Sequence, residues 1–119
     1  MTAVDPAYLV GAGGVVGALL RHLVGQAIEY EAFPLATLTV NVVGSFVLAL
    51  VTFLPVGDST LLFVGTGACG SFTTFSSFSV GVVQLWENGR YALSMGYAAV
   101  NLLGALAGIG LATVVVGAL

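Results

Sequence analysis

The chain has 119 residues, of which 59% are hydrophobic and 6% charged, with a mean hydropathy of +1.14. Soluble domains carry about a quarter charged residues, so this composition cannot build a water-facing surface and points to the bilayer as solvent. A net charge of −3 without a single lysine excludes the basic patches of a nucleic-acid-binding protein, and Cys69, the sole cysteine, excludes an intrachain disulfide.

A spanning helix needs about 20 mainly apolar residues. Four such runs are predicted, over about residues 8–28, 35–54, 60–86 and 91–118, forming one membrane domain across residues 1–119. Glu29-Tyr30-Glu31 with Pro34, then Pro55-Val56-Gly57-Asp58, then Glu87-Asn88-Gly89-Arg90 separate them. Asp5 is the first charge, so a cleavable signal segment, which needs a basic start, is not expected. Arg21 and Arg90, the only strongly basic residues, give a weak preference for placing the first and third loops in the cytoplasm. Such a chain can insert in both orientations or take its direction from a partner.

In the first span, Gly13 and Gly17 form a small-xxx-small pair that admits a close neighbour helix, and Arg21 lies one turn on along the same face. Arg21 reads either as a snorkelling end-of-helix anchor or as a cation facing a vestibule that draws anions in. In the second span Thr37, Asn41 and Ser45 recur every four residues and share a face. Asn41 is either interhelical glue or part of a functional polar stripe.

The third span contains GACGSFTTFSSF, Gly67 to Phe78. Gly65, Gly67 and Gly70 soften it, and an opening near Gly70–Thr73 would free carbonyls for which a buried cation is a natural partner. Hydroxyls of Thr73, Thr74, Ser76 and Ser77 would satisfy the rest; the alternative is a continuous helix whose Ser and Thr bond back to their own carbonyls. Phe75 and Phe78 share a face, with Phe72 three residues earlier. They read as packing or as a wall whose positive ring edges favour a small anion without binding it too tightly. In the fourth span Ser94, Tyr97 and Asn101 lie at helical spacing, followed by the close-packing pair Gly104 and Gly108. Trp86 and Tyr91 read as interface anchors.

The predicted spans hold no aspartate or glutamate. Proton-coupled pumps and small multidrug exporters use an intramembrane carboxylate, which argues against those classes. There is no phosphate-binding loop, no metal-ligand spacing and no nucleophile–base set, and His22 alone makes no zinc site. The chain is therefore not expected to be an enzyme.

GGVVGALLR at Gly13–Arg21, TLTVNVVGSF at Thr37–Phe46 and GACGSFTTFSSF at Gly67–Phe78 resemble, in order and spacing, the Fluc (CrcB) family of fluoride channels. The resemblance covers nearly the whole chain and implies an all-α membrane protein of four transmembrane helices with a broken third helix. It implies an antiparallel, dual-topology dimer in the cytoplasmic membrane, built from two copies or from this chain and a homologous subunit, with two fluoride pores at the interface. Carried across, the pore elements are Asn41, Phe75, Phe78, Ser77, Thr74, Tyr97 and Asn101, and Arg21 is the vestibule arginine. A structural sodium ion (Na+) at the dimer centre would be held by the backbone carbonyls of Gly70 and Thr73. The implied activity is passive export of cytoplasmic fluoride down its electrochemical gradient, which lowers fluoride toxicity. Two departures bear on this. Asn101 stands where the family usually has Ser, with Ala105 a turn later offering no hydroxyl, so the exit route is expected to differ. Ser71 stands where a second glycine is common, which alters the sodium site if the break needs that glycine's freedom. A coupled small multidrug-type exporter, and a subunit that conducts only with a partner, are the alternative readings.

Overall fold

The computed structural model describes residues 4–29 and 33–119; Tyr30 and Glu31 of the first predicted loop lie outside the described residues. Among the described residues, four helical spans are long and apolar enough to cross a membrane. Helix α1 covers Pro6–Ala27. Its N-cap is Asp5, whose carboxylate accepts from the Ala7 N–H at 2.8 Å, and Pro6 occupies a first-turn position where its missing N–H is harmless. Helix α2, Leu35–Phe53, starts directly after Pro34 and stops at Leu54, which is extended ahead of Pro55.

The third span is two helices. The first, α3, covers residues 58–72, and its central part, Leu61–Cys69, is wound as a π-helix. It ends at Thr73 (φ −81°, ψ 159°) and Thr74 (φ −151°, ψ 118°), both extended. The second, α4, covers Phe75–Glu87. The break thus falls at Thr73–Thr74, in backbone that any residue adopts. Ser71 sits in regular helix with its hydroxyl on the Gly67 and Ala68 carbonyls at 3.1 and 3.2 Å, so the break does not depend on a glycine there.

Helix α4 closes in a Schellman motif. Gly89, at φ 77°, donates to Trp86 O, and Arg90 donates to Leu85 O. Helix α5 then runs Tyr91–Gly117. Trp86 and Tyr91 meet edge to face at 4.6 Å, both half exposed.

Two pairings organise the bundle: α1 packs along α3, and α2 along α5. The first depends on glycine. A Cβ at Gly13 would run into the Phe63 carbonyl, and one at Gly17 into the Ala68 carbonyl and the Ser71 hydroxyl. From the other side, a Cβ on Gly67 would come within 2.7 Å of the Val10 carbonyl oxygen. The pair read from the sequence as a close-packing face is therefore a backbone-to-backbone seam. Gly104 and Gly108 do the same for α5 against Val42 and Phe46 of α2.

Burial is inverted relative to a soluble protein. Large apolar side chains such as Leu19, Leu103 and Val114 point outward, while Tyr97, Asn101, Ser94 and Thr74 are buried. In hydrocarbon this arrangement is favourable, because the outer face meets lipid and polar groups find partners inside. Gly17→Val is expected to destabilise the protein by about 3 kcal/mol, as overpacking against fixed backbone does. Gly14→Ala, whose Cβ would meet open space, is expected to be neutral or to stabilise by up to about 1 kcal/mol. Thermal unfolding in detergent, followed by circular dichroism, compares the two.

Candidate functional site

Breaking a helix inside a membrane frees backbone groups that water cannot reach. The Thr74 N–H would close the helical turn on the Gly70 carbonyl. It donates instead to Asn41 Oδ1 at 2.8 Å, while Asn41 Nδ2 donates to the Thr74 carbonyl at 3.1 Å. One carboxamide therefore satisfies both backbone groups of Thr74. Asn41 Nδ2 also donates to Asn101 Oδ1 at 3.2 Å, and Asn101 Nδ2 donates to the Tyr97 carbonyl at 3.0 Å. The restart of the helix is capped by Thr74, whose hydroxyl accepts from the Ser77 N–H at 3.1 Å and lies 3.2 Å from Ser76 Oγ. Other hydroxyls bond back to their own helix, as the alternative reading expected: Thr73 to Cys69 O and Ser79 to Phe75 O.

Two cavities flank this constellation. One, of about 340 Å³, is lined by Asn41, Ser45, Thr73, Thr74, Phe75, Phe78 and Asn101, with Gly44, Leu48, Leu102 and Ala105. It has polar groups and aromatic rings but no charged side chain. The Phe75 and Phe78 rings lie 5.6 Å apart, and Phe75 is 79% exposed. Phe72 does not join them. The break turns it into a separate apolar cavity with Val16, Gly17 and Cys69.

The second cavity, of about 560 Å³, is lined by Thr37, Ser76, Ser77, Gln84, Asn88 and Arg90 among others. Tyr97 lies between the two sets of residues. It packs against Phe78 at 5.6 Å, edge-on to Phe33 at 5.1 Å, and under Gly81. It is fully buried, and its hydroxyl has no hydrogen-bond partner among the described residues. Ser94 ties α5 to α4 one turn earlier through the Val82 carbonyl at 2.7 Å.

Asn41, Thr74, Phe75, Phe78 and Asn101 therefore come together; Ser77 lines the neighbouring cavity, and Tyr97 joins the two groups. Arg21 lines neither cavity. It is exposed, and its guanidinium reaches the Thr73 carbonyl at 3.5 Å. The cation lining a cavity is Arg90, which sequence reasoning used only as a topology charge. Its placement follows from Gly89 and the Schellman turn, a local signal that was available in Glu87-Asn88-Gly89-Arg90. The carbonyls of Gly70 and Thr73 both lie outside the helical ladder, because the N–H groups of Thr74 and Ser77 are taken by side chains.

A four-span bundle of membrane-capable helices with one broken helix and buried polar side chains defines a small polytopic membrane protein. Residues 8–118 match the profile described as CrcB-like protein, Camphor Resistance (CrcB), and the chain belongs to that family. It is 61% identical to fluoride-specific ion channel FluC 2 of Haloarcula marismortui over 112 residues, 94% of each chain. It is 52% identical to FluC 1 of Halobacterium salinarum, over 93% of each chain. Against FluC of Idiomarina loihiensis the identity is 41%, over 86% of this chain and 84% of the relative.

Asn41→Leu leaves the Thr74 N–H and carbonyl unpaired, and each such group costs about 1–3 kcal/mol. Unfolding measurements in detergent are expected to show a loss of about 2 kcal/mol or more on that scale. Thr39→Ala, whose hydroxyl bonds only to Leu35 O of its own helix, is expected to change stability by about 0.5 kcal/mol or less.

Proposed function

We propose that this chain is a fluoride channel, exporting the anion passively across the cell membrane as a multi-pass protein. One observation carries the reading: the charge-free cavity in which Asn41, Thr74 and Asn101 converge beside Phe75 and Phe78. A small anion holds its water tightly. It can shed that shell in stages only where donors replace it, and it can leave only where no fixed charge traps it. Amide and hydroxyl donors with positive ring edges meet both demands. The fluoride-specific names of the relatives support the same ion.

The route runs from the Arg90-lined cavity, past Tyr97 and Phe78, to the Asn41 cavity. Arg90 raises the local anion concentration at the mouth, and Tyr97, buried against Phe78, stands between the two cavities. Fluoride needs no coupling. It enters a cell as HF in acid surroundings, loses its proton in the more neutral interior and is driven out by the inside-negative potential. The second wall of the Asn41 cavity is a second copy of the chain in antiparallel orientation, seated over the exposed Phe75. The released Gly70 and Thr73 carbonyls are hard oxygen donors suited to a sodium ion at that junction. That ion would tie the two copies together.

Liposomes containing only the purified chain, with potassium and valinomycin clamping the voltage, are expected to release fluoride rapidly without a proton gradient and to retain chloride. Phe78→Ile is expected to reduce the release at least about tenfold, the effect of roughly 1.4 kcal/mol at one point of the path. Efflux that requires a pH gradient means a coupled exporter. No efflux from folded protein, restored by a homologous subunit, means an obligatory partner.

In sodium-free buffer the assembly is expected to dissociate to single chains on size-exclusion chromatography, and sodium is expected to restore it. An elution unchanged by sodium removes the carbonyl site from this account.

A further inference from the structure

We propose that Asn101 is a stand-in acceptor: it holds the second amide proton of Asn41 between anion passages, and an anion in the cavity exchanges with it. The inference rests on the fluoride-channel reading and adds a role for Asn101 that contact with the ion alone would not give.

A carboxamide has two N–H donors and one carbonyl oxygen. In Asn41 both donors are taken, by Thr74 O at 3.1 Å and by Asn101 Oδ1 at 3.2 Å, and the oxygen accepts from Thr74 N at 2.8 Å. Asn41 therefore has no idle donor for an anion. The orientation of both amides is fixed by backbone groups at the two ends of the chain of bonds. The Thr74 N–H demands the oxygen of Asn41, and the Tyr97 carbonyl demands the nitrogen of Asn101. A flip of Asn101 would set donor against donor at Asn41 and acceptor against acceptor at Tyr97.

Of the three bonds to Asn41, the one to Asn101 is the longest, and both of its ends line the charge-free cavity. The other two hold the helix break. An anion can thus take only the Asn101-facing proton without opening the break. The exchange trades a neutral acceptor for a charged one, which makes a stronger bond, but part of the gain is lost with the broken amide pair. The freed Asn101 oxygen then faces the anion as an unpaired acceptor, which favours its departure. Binding is weakened to a level that permits conduction.

The test is fluoride flux against fluoride concentration in liposomes, for the natural chain and Asn101→Leu. Without the stand-in acceptor the anion meets an unpaired donor. The half-saturating concentration is expected to fall about fivefold, the worth of one net hydrogen bond, and the maximal flux to fall with it. A half-saturating concentration that rises would mean that Asn101 itself donates to the ion, and one that does not move would mean that it does neither; both overturn the proposal. A second measurement uses the unaltered protein. The chain has three asparagines, so 15N-asparagine labelling in lipid gives side-chain amide signals assignable with Asn88→Gln and Asn101→Leu samples. Fluoride, and not chloride, is expected to shift the Asn41 amide proton; a signal that stays fixed through the titration overturns the exchange. A natural chain that conducts no fluoride would fail the channel reading separately.

Discussion

The structure depends on one carboxamide satisfying an interrupted backbone. In water, an extended pair of residues in mid-helix would be solvated at little cost. In hydrocarbon it is tolerated only where protein supplies the missing partners. Asn41 supplies both for Thr74, reaching from α2 into the gap between α3 and α4. The rest of the site follows from this contact. It frees the Gly70 carbonyl from the ladder and draws Asn101 and Tyr97 of α5 into the same network. It also fixes the angle at which Phe75 and Phe78 leave the break.

The second organising fact is electrical neutrality. The residues lining the Asn41 cavity include no acid and no base. A site of this kind handles an anion through dipoles and ring edges, whose attraction is short-ranged and individually weak. Charge is confined to the periphery, where Arg90 lines the outer cavity and Arg21 leans on the Thr73 carbonyl. This separation keeps full charges out of the cavity that Asn41 lines.

Much of this was legible in the chain. Apolar run lengths marked the four membrane-capable helices, because bilayer thickness fixes how many residues a span needs. The glycines of α1 announced a close seam, and the four-residue recurrence of Thr37, Asn41 and Ser45 announced a polar face. Other features were hidden for physical reasons. The break falls at Thr73–Thr74, at the far end of the Gly70–Thr73 stretch expected to open, because Asn41, distant in sequence, decides which backbone group is pulled from the ladder. Phe72 shares a three-residue spacing with Phe75 and Phe78, yet the spacing argument holds only within one helix, and the interruption lies between them. Ser71 looked like an obstacle to unwinding; it is not one, since the unwinding happens two residues on in a conformation open to any side chain. The place of Arg90 beside a cavity was not read from the chain, because the direction of a long side chain is set by the turn that carries it, not by its distance from a span's end.

The π-helical winding of Leu61–Cys69 has a consequence for how this chain can change. These nine residues carry the α3 side of the glycine seam with α1, through Phe63, Gly67 and Ala68, and lead on to the Thr73–Thr74 break. A residue gained or lost there would rotate everything beyond it relative to α1, since each helical residue carries a fixed share of a turn. The break would then present its carbonyls away from Asn41. Substitutions that keep small residues at the seam leave that geometry alone, whatever their chemistry. The stretch therefore sets the register between the seam and the break, so its length is constrained together with the small residues that it places at the seam.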